Sequence, residues 1–321
     1  MMKVYLTFDI EVWCNNWDEL DSRFPQSFHR YIYGRSVKGD YALPKTLEIL
    51  DQYGLKGVFF VEPMFAGRFG VEHLAQITQM IQQAGQDIQL HLHPEWTDEI
   101  RPLLFENAKT KRQHLSYYTF EEQCILLEYG RKMFSLVGCP QINAFRAGSF
   151  ACNSNTYRAL QRCGFAVDSS LNAVHPASGL DLRNTLDFYH PQSHLGVSIL
   201  PLSIFRDGFG KLRPAQLGAC SLSELQRALR SALANGVEHF VILSHNFEML
   251  KPGRCDPDPI VVKRFTGLCK FLAAERTLFE VSVLAASPAI NKPPTTWQPI
   301  EAKLGDTLQR HGEQLLRRLM A

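Results

Sequence analysis

The sequence predicts an α/β fold in the form of a parallel β/α barrel, and three observations support this prediction. Short apolar segments rich in β-branched and aromatic residues alternate with amphipathic segments of helical period along the 321 residues. Two helical segments begin with the spacing of a capping box. Five apolar segments end in ionisable residues, namely Asp9 with Glu11, His91 with His93, Arg146, Asp168 and His245. Because the functional residues of such barrels gather at the carboxyl ends of the strands, these five ends indicate one active face.

The predicted elements alternate in the order that a barrel requires. Glycine follows most of the helical segments, as is usual at a helix C-terminus. The predicted strands are Val4–Phe8, Gly57–Val61, Asp87–His93, Ile142–Arg146, Phe165–Asp168, Ser198–Ser203, Phe240–His245 and Leu278–Leu284. The predicted helices are Leu43–Tyr53, Val71–Ala84, Thr119–Val137, Thr156–Cys163, Ser221–Ala234, Val261–Ala274 and 300–320.

Long connections and the C-terminal helix complete the predicted organisation. Residues 13–41 read as irregular and are rich in aromatic rings, which either cover a substrate or pack into the barrel wall. Residues 172–197 and 206–220 also read as loops. Leucines recur with helical period over 300–320, and we expect this apolar face to pack on the barrel. The chain therefore divides into a barrel domain, 1–290, and a C-terminal segment with an amphipathic helix, 291–321.

Composition and charge exclude several classes of protein. The formal net charge is only +2, so a strong attraction to nucleic acid or acidic membranes is not expected. No apolar run approaches the ~18 residues that span a bilayer, and the first strand begins too early to leave room for a signal peptide. The eight cysteines include no Cys-x-x-Cys pair and suit a reducing compartment as free thiols. We therefore expect a soluble, cytoplasmic protein.

The acids and histidines at two strand ends suggest a metal site. Asp9 and Glu11 are spaced i, i+2, and so are His91 and His93, so each pair lies on one side of an extended backbone. Carboxylate and imidazole groups together suit a divalent ion, and two histidines with one glutamate form a known catalytic zinc set. Acids at the end of a strand can also simply be hydrated, and a His-x-His pair alone is weak support.

Short motifs at these strand ends resemble the NodB-type polysaccharide deacetylase family (carbohydrate esterase family 4), in the family's order over residues 3–285. Thr7-Phe8-Asp9-Ile10-Glu11 resembles the first motif, Thr-Phe-Asp-Asp-Gly, and Ile88–Pro94 resembles the second, His-Ser/Thr-x-x-His-Pro. Phe145–Phe150 resembles the third motif, Arg-x-Pro-Tyr/Phe, although its proline is missing. Asp168-Ser169-Ser170 is similar to the fourth motif without its tryptophan, and Val241–His245 to the fifth, Leu-x-Leu-x-His.

The resemblance implies a distorted (β/α)7–8 barrel of the NodB-homology type with a divalent metal, zinc in our expectation. It makes Asp9 the catalytic base, Glu11 and His91 metal ligands, and His245 the acid that protonates the leaving amine. The third ligand is either His93, which precedes a proline as the family's second histidine does, or Glu95, which has that histidine's position. Arg146 would orient Asp9, and Asp168 would hold Arg146 or adjust His245; an ion pair of Arg146 with Asp168 is the structural alternative. Glu248 could orient His245, but its position is more typical of a surface acid.

The implied activity is removal of an N-acetyl group from a sugar. With a cytoplasmic location, the expected substrate is an N-acetylated sugar nucleotide or a lipid-linked glycan of the O-antigen or capsule type. Two other functions stay open at this point. The same barrel could be a metal-free glycan-binding or scaffolding relic, or it could hydrolyse another C–N amide, such as a formamide or a cyclic ureide.

Overall fold

The computed structural model describes residues 1–14, 16–290 and 299–319. Its strands are β1 (Met2–Ile10), β2 (Arg35–Ser36), β3 (Gly39–Asp40), β4 (Val58–Val61), β5 (Asp87–Leu92), β6 (Ala144–Ala147), β7 (Val167–Asp168), β8 (Gln192–His194), β9 (Val197–Ile199), β10 (Ile204–Arg206), β11 (Leu212–Pro214), β12 (His239–His245) and β13 (Phe279–Val281). Its α-helices are α1 (Leu20–Phe28), α2 (Leu43–Gln52), α3 (Ala66–Phe69), α4 (Val71–Gln83), α5 (Phe120–Leu136), α6 (Ser154–Arg162), α7 (Leu222–Ala234), α8 (Pro259–Ala274) and α9 (Leu304–Leu319).

These elements form two compact units. The first unit contains Met1–Gly57, Ser203–Ser282 and the described part of the C-terminal segment, 299–319. The second contains Val58–Leu202 and residues 283–290. The predicted boundary after residue 290 falls at 291–298, which lie outside the described residues. In the part of the chain that the structure describes, every helix is too short or too polar to cross a membrane.

The first unit is built around β1, which is buried along almost its whole length. It pairs in parallel with β12 on one side and with β13 on the other. Strands inside a parallel sheet are usually covered by helices on both faces, which suits the largely apolar sequence of β1. The ring of Phe8 meets Phe265 of α8 edge-on at 5.6 Å, and α7 packs on α8. This arrangement fixes the carboxyl ends of β1 and β12 side by side, where Asp9 and His245 lie.

The second unit is a sheet in the order β4, β5, β6, β7, β9, β8, in which only β8 runs antiparallel to its neighbour. Helix α5 packs against α6 and against β5. A complete capping box at Thr119 and Glu122 begins α5, as the sequence predicts, and Ser221 with Glu224 begins α7 in the same way. The carboxyl ends of β5, β6 and β7 are consecutive, so His91, Arg146 and Asp168 follow one edge of this sheet.

The predicted loops contain more regular structure than expected. Residues 13–41 hold helix α1, a π-helical turn over His29–Tyr33 and the β2–β3 hairpin. Phe24 and Phe28 are buried, as expected for rings that pack into the wall, whereas Trp13 is partly exposed. Residues 206–220 include most of the β10–β11 hairpin, and β8 forms within 172–197.

Helix α9 packs through its polar face, whereas we expected its leucine face to be buried. Arg310 is buried and donates to Glu224 at 3.0 Å and to Asp207 at 2.9 Å. The leucines of α9 are 50–75% exposed. Buried charges are tolerated only when they are paired. Arg213 also pairs with Asp207, so two arginines balance the two buried carboxylates. Charge pairing with the β10–β11 hairpin and α7 therefore decides which face of α9 is docked.

Candidate active site

In the first unit, Asp9, Glu11 and His245 come together at the ends of two paired strands. Asp9 lies beside His245 in the register of β1 and β12. One ligand atom from each of the three side chains lies within 4.8 Å of the others. Asp9 and Glu11 are only 3% and 6% exposed. Two acids held this close in a buried place make a cation, either a metal ion or a protonated histidine, favourable beside them.

Two neighbouring side chains fix the position of Glu11. The indole Nε1 of Trp13 donates to Glu11 Oε2 at 2.6 Å. The side chain of Asn246 accepts from the Glu11 backbone N–H at 3.2 Å and donates to its carbonyl oxygen at 3.2 Å. Asn246 directly follows His245, so the same turn supports the acid and the histidine.

Glu248 is paired with His245, although its sequence position suggested a surface acid. His245 Nδ1 donates to Glu248 Oε1 at 3.0 Å, and the Glu248 side chain is only 9% exposed. Burial by itself lowers the pKa of His245. The hydrogen bond to Glu248 and the negative charge of Glu11 outweigh burial and raise this pKa to about 9. His245 is therefore protonated at neutral pH and has a proton to donate.

In the second unit, His91 and His93 lie together with their Nδ1 atoms already engaged. Their rings meet edge-on at 4.7 Å, and both are buried. Nδ1 of His91 donates to the Arg146 carbonyl oxygen at 2.9 Å. Nδ1 of His93 contacts Glu95 Oε1 at 3.2 Å. When Nδ1 carries the proton, Nε2 is the nitrogen with a lone pair, which is the usual arrangement of a metal-binding histidine.

Gly148 makes room for the ring of His93. A Cβ atom at position 148 would lie 2.7 Å from His93 Nδ1 and 2.8 Å from Cε1. Such distances are far inside van der Waals contact, so any larger residue would push the ring away. The third motif, which contains Gly148, therefore also shapes the second.

Glu62 is a candidate site residue that the sequence analysis missed. It follows β4, is 1% exposed, and its Oε1 accepts from the Met64 backbone N–H at 2.6 Å. Burial raises its pKa to about 8, although the nearby positive charge of protonated His93 would lower it. Its Oε2, like that of Glu95, is buried without a hydrogen-bond partner among the described residues. The other site residues were predicted because they lie at the end of an apolar strand, and Glu62 has the same position after β4.

Arg146 and Asp168 are both fully buried at neighbouring strand ends. The guanidinium of Arg146 donates to the carbonyl and the hydroxyl of Ser169, both at 3.1 Å, and lies 4.3 Å above the ring of Phe60. Asp168 accepts from Tyr157 at 2.8 Å and from the Ser170 hydroxyl at 2.5 Å. Burial raises the pKa of Asp168, while Ser170 and the charge of Arg146 act in the opposite direction. Asp168 thus belongs to a buried polar network that supports the end of β6.

The fold is similar to that of a solved bacterial protein. A Mycobacterium smegmatis protein described as a candidate polysaccharide deacetylase is 17% identical, with a TM-score of 0.56 over 91% of this chain and 94% of that chain. This likeness confirms the predicted fold class, the distorted (β/α)7–8 barrel of the NodB-homology type.

Other comparisons are weaker. A family 4 carbohydrate esterase from Streptomyces lividans is 11% identical, with a TM-score of 0.43 over 87% of this chain and 91% of that one. A family 4 pseudoenzyme from Bacillus anthracis is 12% identical, with a TM-score of 0.42 over 88% and 63% of the two chains. No protein-family model matches the chain, and no curated protein is significantly similar to it.

Proposed function

We propose that this protein is a metal-dependent hydrolase that removes the N-acetyl group from a sugar of a glycan intermediate. The observation that carries the proposal is the cluster of Asp9, Glu11 and His245, in which a buried acid lies beside a histidine that holds a proton at neutral pH. Amide hydrolysis needs a base for the attacking water and an acid for the departing amine. The fold, which is that of a candidate polysaccharide deacetylase, supports a sugar amide as the substrate.

In this proposal, Glu11, His91 and His93 hold one divalent ion, zinc in the first instance. The donor chemistry fits, because imidazole and carboxylate groups are zinc ligands, and the Nδ1 contacts of both histidines orient their rings. Glu95, which contacts His93, then orients this ligand rather than replacing it. When bound, such an ion polarises a carbonyl group and makes water more acidic.

The remaining steps use side chains of this chain. Asp9 accepts a proton from the water whose oxygen attacks the amide carbon. His245 donates its proton to the sugar nitrogen as the C–N bond breaks, which releases the amine and acetate. Glu248 keeps His245 protonated until that step. Arg146, fixed by Ser169 and by the network around Asp168, would hold the Asp9 carboxylate in its working orientation.

Two variants test the roles. His91→Ala should lose stoichiometric zinc, measured by elemental analysis, whereas His29→Ala, an exposed histidine, should keep it. Asp9→Asn should keep zinc and lose about 10²–10⁴-fold of acetate release from an N-acetylated sugar substrate. Loss of zinc in Asp9→Asn would instead make Asp9 a ligand. Wild-type protein that binds no zinc and releases no acetate would contradict the proposal and favour a glycan-binding relic.

We also propose a cytoplasmic glycan intermediate as the substrate, either a sugar nucleotide or a lipid-linked sugar. All eight cysteines are free thiols and seven are buried, which suits a reducing compartment. Comparing acetate release from sugar nucleotides, lipid-linked sugars and extracellular polymers such as chitin oligomers tests this choice. Preference for the polymers would contradict it.

A further inference from the structure

A cavity of about 500 Å³ lies in the first unit, beside the His245–Glu248 pair. Three aromatic rings and three cationic side chains contribute to its walls: Trp13, Tyr31, Phe247, Arg30, Lys251 and Arg254. The rings of Tyr31 and Phe247 meet edge-on at 5.3 Å. Of the side chains to which the proposed function gives a role, only Glu248 lines this cavity, and the space itself has no role in that chemistry.

Two hydrogen bonds connect the cavity wall to the catalytic side chains. Trp13 donates its indole N–H to Glu11, and Glu248, another wall residue, accepts from His245. A group that occupies the cavity is therefore one side chain away from the acids and the histidine. The cavity could therefore hold a second part of the substrate molecule whose amide lies at Asp9 and His245.

The cavity wall carries an excess of positive charge. Of the described wall residues, Glu248 alone is acidic, and its carboxylate already accepts from His245, Gln216 and the Gly218 N–H. A fourth cation, Arg317, is neutralised by Asp258 at 2.6 Å. No such ion pair offsets Arg30 and Arg254 among the described residues, so the cavity favours an anion.

Arg30 gives this preference a structural basis. Its Nε is buried and has no hydrogen-bond partner among the described residues. Its guanidinium carbon lies 5.1 Å from the centre of the Tyr31 ring, a cation–π distance that holds the group at the wall. A buried donor without an acceptor is unfavourable, and an oxyanion in the cavity would supply that acceptor.

We propose that this cavity binds the diphosphate through which the acetylated sugar is attached to its carrier. Several cations around one space suit a multiply charged diphosphate better than the single carboxylate of an acidic sugar. The inference rests on the proposed function in one respect, since it requires the sugar amide to lie at Asp9 and His245. A nucleoside diphosphate and a polyprenyl diphosphate share this group, and the rings of the wall could contact either a base or an isoprenoid.

Binding of inorganic pyrophosphate to the full-length protein, measured by calorimetry, tests the site. We expect one pyrophosphate per chain, with Arg30→Gln and Arg254→Gln each weakening binding about tenfold through loss of a charged contact. Arg254 is exposed, so its substitution leaves the fold intact. Arg230→Gln is the matched control, because this arginine is exposed, pairs with Glu275 and does not line the cavity. It should change the affinity less than twofold.

Further binding measurements distinguish a nucleotide from a lipid carrier, and a wrong cavity assignment from a wrong deacetylase assignment. Tighter binding of UDP than of pyrophosphate identifies a nucleotide carrier, and tighter binding of farnesyl diphosphate identifies a lipid carrier. His91→Ala should bind pyrophosphate normally, which shows that the anion does not depend on a metal. No binding by wild type at millimolar pyrophosphate, equal loss in Arg230→Gln, or tighter binding of glucuronate would overturn the proposal. Pyrophosphate binding without acetate release would instead contradict the deacetylase function alone.

Discussion

Removing the charge of Glu248 should return the pKa of His245 towards its ordinary value. Glu248→Gln keeps the size of the side chain and an oxygen that can accept from His245 Nδ1, but it removes the negative charge. In the wild type, this pKa is about 9, above the ordinary histidine value of 6.5. The difference of about 2.5 pKa units corresponds to ~3 kcal/mol in favour of the protonated ring, at about 1.36 kcal/mol per unit. Since a neighbouring opposite charge typically contributes 1–3 units, we expect a fall of about 1–2 units.

The same change should alter the pH dependence of stability. A pKa that is raised in the folded state means that protonated His245 stabilises the protein. This contribution is complete below pH 6.5 and disappears as the pH rises from 6.5 through about 9. In Glu248→Gln the loss should be smaller and should finish at lower pH. Chemical denaturation between pH 6 and pH 10 measures the difference.

NMR titration of the His245 ring in metal-free protein is the direct assay. Glu275→Gln is the matched control, because it removes an acid of the same unit that pairs with Arg230 instead of His245. A His245 pKa within about half a unit of the wild-type value in Glu248→Gln would refute this reasoning. An equal fall in Glu275→Gln would also refute it, because the effect would then reflect net charge.

Three more predictions follow from the same contacts. Zinc added to the protein should lower the pKa of His245 by about one unit or more in the same NMR titration, because the ion neutralises Glu11; an unchanged pKa would contradict the placement of the metal. Gly148→Ala should weaken zinc binding about 10–100-fold by displacing His93, whereas Gly305→Ala, which meets no atom within 4 Å, should not. Arg310→Met should reduce the free energy of unfolding, measured by urea titration, by about 3–5 kcal/mol, because Asp207 and Glu224 stay buried without this arginine. Arg227→Met, which removes a half-exposed arginine paired with Asp306, should cost less than ~1 kcal/mol.

The strand ends were predictable because burial on both faces leaves a strong signature. A strand such as β1 is apolar at most positions, so the acids at its end are conspicuous. The same reasoning identified His91, Arg146, Asp168 and His245. It would also have identified Glu62, had the acid after β4 been read as part of the strand end.

The pairing of side chains around the strand ends was not predictable in this way. Glu248 resembles any acid after a strand, and only the folded chain shows that it accepts from His245 and from the Gly218 N–H. The choice between His93 and Glu95 as a ligand also needs coordinates, because both residue types bind metals. Their contact with each other assigns them different roles in our proposal.

Helix α1 and the docking of α9 show two further limits. Helix α1 carries Pro25 in its interior, a residue that normally interrupts a helix, so its sequence favours a loop. The amphipathic pattern of α9 correctly indicates a helix, but it cannot show which face is docked. A buried arginine is rare, and its acidic partners lie 86 and 103 positions away in the sequence.

These separations also set an order of events during synthesis of the chain. Asp207 and Glu224 leave the ribosome 103 and 86 residues before Arg310. At about 5–20 residues per second, the interval is roughly 4–20 s. During this time Asp207 can pair with Arg213, but Glu224 lacks Arg310, so burial of the Glu224 charge is unfavourable until α9 arrives. The first unit thus reaches its final structure only after α9 has been translated, and a nascent chain that stalls earlier would leave Glu224 without its arginine.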